Sequence, residues 1–353
     1  MQAENTFISV ETFSLTPHRL SIYNTRVRIN PIGDQVKKNL SPSEKAKILA
    51  NLHGGEYTTE TRWHRFAISE QARKTMLLKI NWLYFMAKSR YKKAISGKEI
   101  FNFKLNFITL TLSSKQQHPT AEITEKCFNQ FLVEIRKMYK MENYVWRLEF
   151  QKNGNVHYHI VTDCYTDFHI VQKIWNRCQD KLGYVGEYTK KHIVMSLNDY
   201  VREYGENGKV SFDTLKYRYA RGKASSWKIP NSTDVKSVSS GKKISFYIAK
   251  YFSKKENRNN ACNPLDNKEN SVGLRLWFCS RSLSRLDALR DFVPAFKTNL
   301  LDLIYTAKDY FYVAHDFCKS WFYSISTLEA RAKGSLSMIL RNYAIDLGYV
   351  SSV

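Results

Sequence analysis

The 353 residues, 43% of them hydrophobic, suffice for one large domain or two ordinary ones with real cores. Fifty-five Lys and Arg against 32 Asp and Glu leave a formal charge of +23 interleaved with 22 Tyr, 20 Phe and 7 Trp, so a polyanion is the expected partner. No apolar run reaches the roughly 18 residues of a membrane span and no signal segment opens the chain, which predicts a cytosolic protein; six cysteines without a C-x-x-C pair argue against a disulfide frame or zinc module and for buried, reduced thiols with no catalytic role.

Residues 1–59, with scattered Pro, Gly and Ser, read as an irregular arm. Residues 60–98 carry ten basic against two acidic residues, with apolar positions at Met76, Leu77, Ile80, Leu83 and Tyr84. That pattern predicts a basic amphipathic helix whose charged face meets phosphates. From residue 103, "FKLNFITLTLSS" alternates as a half-buried strand. A helix is expected in "PTAEITEKCFNQFLVEIRKMYK", where Ile123, Cys127, Phe131 and Ile135 recur every four residues.

Next come the strand "NYVWRLEFQ", a turn at Asn153-Gly154-Asn155 and the strand "VHYHIVTD". An Asn-Gly pair between alternating runs signals a hairpin. Strand periodicity puts His157 and His159 on one face and Val156, Tyr158 and Ile160 on the other. Glu149 lies opposite Trp146, Leu148 and Phe150, so the hairpin brings a carboxylate beside the two imidazoles. Two readings of this trio stand: polar or satisfied core side chains, with Glu149 in a cross-strand ion pair, or a ligand set for a divalent ion that also holds a phosphate oxygen.

"DFHIVQKIWNRCQDKLG" predicts a helix with Ile170, Ile174, Trp175, Cys178 and Leu182 inward and Gly183 at its end. The order strand, helix, strand, strand, helix is that of a split βαβ or ferredoxin-like sheet, giving an α+β fold with a central antiparallel sheet and helical additions at both ends. Residues 221–243, rich in Ser and Lys, read as a mobile loop. In "KKISFYIAKYFSKK" (242–255), Tyr247 and Tyr251 are four apart, as are Lys250 and Lys254, so on a helix each pair shares one side. The tyrosines are either core aromatics of a basic helix or paired phenols whose attack on phosphorus needs cationic help. "GLRLWFCSRSLSRL" (273–286) reads as a closing strand with Arg275, Arg281 and Arg285. Residues 287–353 hold seven basic and seven acidic residues, and "YFYVAHDFCKSWFYSI" suggests a packed helical element or an oligomer contact.

Three stretches together, "FITLTLS" (107–113), "VHYHI" (156–160) and "YIAKYFSKK" (247–255), resemble the motifs of the HUH endonuclease superfamily. The Y-x-x-K-Y spacing, placed after the histidines, is similar to that of the replication initiator (Rep) proteins of microviruses, small single-stranded DNA phages. The resemblance covers roughly residues 100–290 and implies metal-dependent nicking and strand transfer of single-stranded origin DNA through a 5′-phosphotyrosyl intermediate. It implies His157 and His159 as ligands of Mg²⁺ or Mn²⁺ with Glu149 as third ligand, and Tyr247 and Tyr251 as paired nucleophiles. Lys250 and Lys254 would stabilise phosphate charge.

The expected organisation is an arm and basic helix (1–99), the nuclease domain (100–290) and a neutral C-terminal segment (291–353). No G-x-x-x-x-G-K-[ST] motif occurs, so unwinding and synthesis fall to a host helicase and polymerase in a bacterial cytoplasm. A two-tyrosine transposase and a non-enzymatic nucleic-acid binder are the alternatives.

Overall fold

Strand-forming patterns at the two ends of the sequence and in its middle build separate sheets. The computed structural model describes residues 6–29, 68–93, 99–151, 153–205, 210–238, 274–291, 301–302, 304–305, 310–315, 318–323 and 335–349. Contacts divide the chain into two compact units, residues 1–65 with 286–347 and residues 66–285 with 348–353. The fold is α+β with antiparallel sheets, as the sequence predicts. The first strands, β1 (Thr6–Thr16) and β2 (Arg19–Ile29), form a hairpin of the first unit.

The second unit begins with α1 (Glu70–Met86), capped by Ser69, whose hydroxyl accepts from the Ala72 amide. This helix corrects the expectation of a phosphate-facing surface. Met76, Ile80, Trp82, Leu83, Phe85 and Met86 are buried, and seven of the ten basic residues of 60–98 lie outside it. Of those within, Lys74 pairs with Glu70, and Lys79 is buried with its ammonium donating to the Ser284 carbonyl. After the small hairpin β3 (Arg90–Lys93) and β4 (Glu99–Phe103) comes β5 (Leu105–Thr111).

The next helix, α2, runs as Thr120–Ile123, a π-turn at Thr124–Phe128 and Asn129–Tyr139. Ile123, Cys127, Phe131 and Ile135 are all fully buried. A strict four-residue repeat drifts around a 3.6-residue helix, and the wide π-turn absorbs part of that drift. The strands β6 (Tyr144–Phe150) and β7 (Val156–Thr162) form the predicted hairpin, with Gly154 at φ 82° in its turn. Helix α3 (Phe168–Asp180) is capped by Asp167, which accepts from the His169 and Ile170 amides. It buries Val171, Ile174, Trp175 and Cys178, whereas Ile170, expected inward, is exposed.

Three further helices follow, α4 (Tyr184–Ile193), α5 (Leu197–Gly205) and α6 (Phe212–Ala224), then β8 (Thr233–Val238), β9 (Trp277–Cys279) and the short α7 (Arg281–Ser284). The predicted loop at 221–243 is thus corrected: its first residues end α6 and 233–238 are an edge strand. Leu215 and the one-turn-apart tyrosines of α6 give that helix its buried side, and Asp234 to Val238 pair with β5. The sheet order is β8-β5-β7-β6-β9, every pair antiparallel. β5 and β6 therefore run in one direction with β7 between them.

One face of this sheet is the core. Ile108, Leu110, Trp146, Leu148, Tyr158 and Ile160 meet Phe128, Phe131 and Trp175 of the helices, with Phe128 stacked on Tyr158 at 4.1 Å. The other face carries the alternate residues, His157 and His159 among them. Cys127 and Cys178 are buried free thiols pushed up to about 12 and about 11 by burial, which keeps them protonated and unreactive. Among the described residues no helix is long and apolar enough to cross a membrane.

The first unit is completed by β10 (Leu289–Asp291), β11 (Tyr310–His315), β12 (Cys318–Tyr323) and α8 (Ser335–Asp346), in a five-stranded sheet of order β10-β1-β2-β12-β11. Both ends of the chain were expected to be irregular or helical, and this sheet corrects that. Phe13, Leu15, Leu20 and Ile22 share a buried face across the β1–β2 register, and Trp321 and Tyr323 alternate inward on β12. The aromatic, β-branched run 310–323 satisfies strand pairing better than a helix stripe.

His18, in the β1–β2 turn, has an Nδ1 without a hydrogen-bond partner among the described residues, and burial, aided by the Arg19 charge, lowers its pKa to about 4. Its folded-state pKa lies below the ordinary value of 6.5, so the stability it contributes is complete above pH 6.5 and is lost as pH falls towards 4. The denaturation midpoint followed by circular dichroism should decline over that window. His18→Gln should flatten the decline, and an unchanged slope would contradict the assignment.

Candidate active site

Strand pairing sets the site. Glu149 on β6 is the direct register partner of His157 on β7, Arg147 is the partner of His159, and across β7 the partners on β5 are Thr111 and Thr109. The same face of edge strand β8 adds Asp234 opposite Thr109. The two imidazoles lie with ring centroids 4.5 Å apart. Of the residues singled out in the sequence, His157, His159 and Glu149 are brought together as the hairpin predicts. Tyr247, Lys250, Tyr251 and Lys254 lie outside the described residues.

His159, 3% exposed, is held from both sides. Its Nε2 is 2.8 Å from Glu149 Oε1 and its Nδ1 is 3.2 Å from the Thr109 hydroxyl. A hydroxyl can donate or accept, so Thr109 serves either tautomer of the ring and can hold it when Nε2 is turned over to another ligand. Burial opposes ionisation of Glu149, but the His159 hydrogen bond and the neighbouring charges outweigh it and hold the carboxyl below its ordinary range. His157 has no hydrogen-bond partner on either ring nitrogen among the described residues. Burial first, and then the His159 charge, lower its pKa to about 3, so it is a neutral imidazole with a free lone pair.

Among the described residues no group of three His, Cys, Asp or Glu side chains is already arranged around a cation position; Glu149 is instead engaged by His159. The donor chemistry nevertheless fits a divalent ion: one neutral imidazole with both nitrogens orphaned, one whose tautomer Thr109 can switch, and an ionised carboxylate.

The loop after β5 is stapled to the hairpin turn beside this trio. The Asn155 side chain accepts from the Gln116 amide at 2.9 Å and donates to the Ser114 carbonyl at 2.9 Å, while Gln116 Oε1 accepts from the Val156 amide at 2.8 Å. Trp175 donates its indole N–H to the Thr111 carbonyl at 2.7 Å. The start of β7 is thereby fixed against the end of β5. Sequence reading missed Asn155, Gln116, Thr109 and Asp234; the Thr109 alternation and the Asn-Gly turn were the only local signals near them.

This sheet, its hairpin and its histidine face fall inside a segment with a known relation. Residues 105–256 match the family model of replication-associated protein ORF2/gene-2 protein. The match supports a Rep-like replication initiator and points to DNA replication as the process and to DNA as the partner. The replication-associated segment includes Thr109, Glu149, His157 and His159, and extends over Tyr247 to Lys254. No curated protein and no solved structure matches the chain.

Proposed function

We propose that this protein initiates rolling-circle replication by nicking single-stranded origin DNA with a tyrosine, in the manner of the HUH-type Rep proteins of microviruses. The observation that carries the reading is the buried His157–His159–Glu149 trio on the hairpin of a segment that matches replication-associated proteins. His157, His159 and Glu149 would hold Mg²⁺ or Mn²⁺. Once bound, the ion supplies Lewis-acid polarisation of the scissile phosphate. Thr109 orients the His159 ring, and burial keeps His157 unprotonated, so neither ligand competes with a proton near neutral pH.

Tyr247 or Tyr251 supplies the nucleophile. Its phenolic oxygen attacks phosphorus, the P–O3′ bond breaks, and the phenolic proton is passed on to the leaving 3′ oxygen. The products are a 5′-phosphotyrosyl linkage and a 3′-OH that primes synthesis. Lys250 and Lys254 favour the anionic phosphate and phenolate. In the closing step the second tyrosine cleaves the regenerated junction and the freed 3′-OH displaces the first tyrosine, so the strand is rejoined without a nucleotide cofactor. A host helicase and polymerase, in a bacterial cytoplasm, would supply unwinding and synthesis.

The covalent adduct should therefore transfer its DNA to an added strand bearing a 3′-OH without ATP. Adduct that forms but is released only as a hydrolysed 5′-phosphate would reduce the protein to a simple nuclease.

A further inference from the structure

The three helices α4 to α6 enclose a small aromatic core of Tyr200, Leu215 and Trp227, with Tyr188 and Tyr219 packed against it. Between this insertion, the loop after β5 and the β6–β7 turn lies a groove of about 540 Å³. That is within the roughly 300–1,000 Å³ of small-ligand sites, room for a nucleobase with its sugar. The groove adjoins the histidine trio along the chain and across the sheet. Its lining residue Thr111 is the register partner of His157, and Gln151 follows Glu149 by two residues.

One wall of the groove is aromatic, ordered and uncharged. The Tyr188 carbonyl accepts from His192 Nδ1 at 2.7 Å, which leaves Nε2 to accept the Tyr204 hydroxyl at 2.8 Å. Burial lowers the His192 pKa and pushes the Tyr188 phenol up to about 12 and that of Tyr204 higher, so the three rings stay neutral. His192 lies near-parallel to Tyr204 and tilted against Tyr188 with centroids 4.0 Å apart, and Tyr204 keeps 40% of its surface exposed. The opposite side is polar: the side-chain amides of Gln117 and Gln151 make no hydrogen bond among the described residues, and Ser114 Oγ is buried without a partner. At the mouth stands exposed Lys115, without an ion-pair partner among the described residues. A neutral ring wall, unspent amides and one cation match a base, its edge and its phosphate.

We infer that this groove receives one unstacked nucleotide of the single strand beside the scissile phosphate, with the base against Tyr204 and its edge towards Gln117 and Gln151. The inference rests on the single-strand nicking proposed above and adds where a base is read. Its test needs no catalysis. A short mixed-sequence deoxyoligonucleotide carrying 5-iodouracil is bound in EDTA, irradiated, and the cross-linked peptides are mapped. Cross-links on residues 184–205 are expected.

In the same buffer Tyr204→Leu should weaken binding about 10-fold and Tyr204→Phe should leave it near wild type. Gln117→Ala combined with Gln151→Ala should flatten the preference among strands differing at one base. Cross-links confined to other peptides, or a folded Tyr204→Leu protein with unchanged Kd, would overturn the groove. The two readings fail separately: cross-links at 184–205 without any covalent adduct in Mn²⁺ would sink the nickase and leave the groove standing, whereas adduct with no cross-link there would sink the groove alone.

Discussion

His157→Ala and His159→Ala should each cut formation of the protein–DNA adduct by at least about 100-fold, because even the outer partners of metal ligands are worth about 10–100-fold. Binding of a single-stranded oligonucleotide in EDTA should stay within about 3-fold of wild type, since charge contacts dominate that affinity. His157 is the cleaner of the two variants. It makes no hydrogen bond among the described residues, so removing it sacrifices no structural partner, whereas His159→Ala also strands Glu149 and Thr109. Equal loss of binding and adduct in both variants would mean that the histidines serve the fold and not the reaction.

The second large effect is on stability. Trp175 is fully buried, packs edge-on to Phe131 at 5.8 Å and to Tyr158 at 6.1 Å, and donates to the Thr111 carbonyl. Trp175→Ala should cost about 3–5 kcal/mol through lost burial and the cavity left behind. Trp175→Phe, which keeps most of the packing and loses the hydrogen bond, should cost about 1–3 kcal/mol. Since Thr111 is the register partner of His157, the Phe variant should also lower the adduct rate by more than its stability loss explains. Chemical denaturation followed by tryptophan fluorescence and circular dichroism measures the first effect. A cost below about 1 kcal/mol for Trp175→Ala would show that α3 does not anchor the sheet.

Which features were legible follows from how local their causes are. The hairpin could be read because Asn153-Gly154 and the flanking alternation are neighbours in sequence, and with the hairpin came the meeting of Glu149 with the two histidines. Helix α3 could be read from its spacing, apart from Ile170, which faces solvent one turn from the Asp167 cap. The β1–β2 hairpin was missed because its turn is Pro17-His18, without Gly or Asn, and because Ser14 and Thr16 are buried beside Phe13 and Leu15, which blurs the alternation. Its pairing with β12 joins residues about 300 apart, a separation no window shows.

Within the site the same limit holds. Thr109 could be placed on the histidine face by alternation, but its bond to His159 depends on strand order. The Asn155–Gln116 staple is a pair of side-chain amides capping backbone groups across a loop, and Asn and Gln carry no periodic signal for such bonds. The charge of 60–98 misled because it was read as one face, whereas α1 takes up the apolar residues and leaves most of the charge beyond its ends. The helical insertion at 184–224 forms its own aromatic cluster from Tyr188, Tyr200, Tyr204 and Trp227, residues that look interspersed with charge when the sequence is read linearly.

The central claim is a metal-dependent covalent linkage between a tyrosine and single-stranded DNA. The most direct measurement is a denaturing gel of the protein incubated with a labelled single-stranded circle of its own genome in Mn²⁺, in EDTA, and as Tyr247→Phe, Tyr251→Phe and the double variant. The account predicts a labelled protein–DNA adduct in Mn²⁺ that disappears in EDTA and in the double variant, with each single variant retaining part of it. Adduct that persists in the double variant, or DNA bound with no adduct in Mn²⁺, would contradict it.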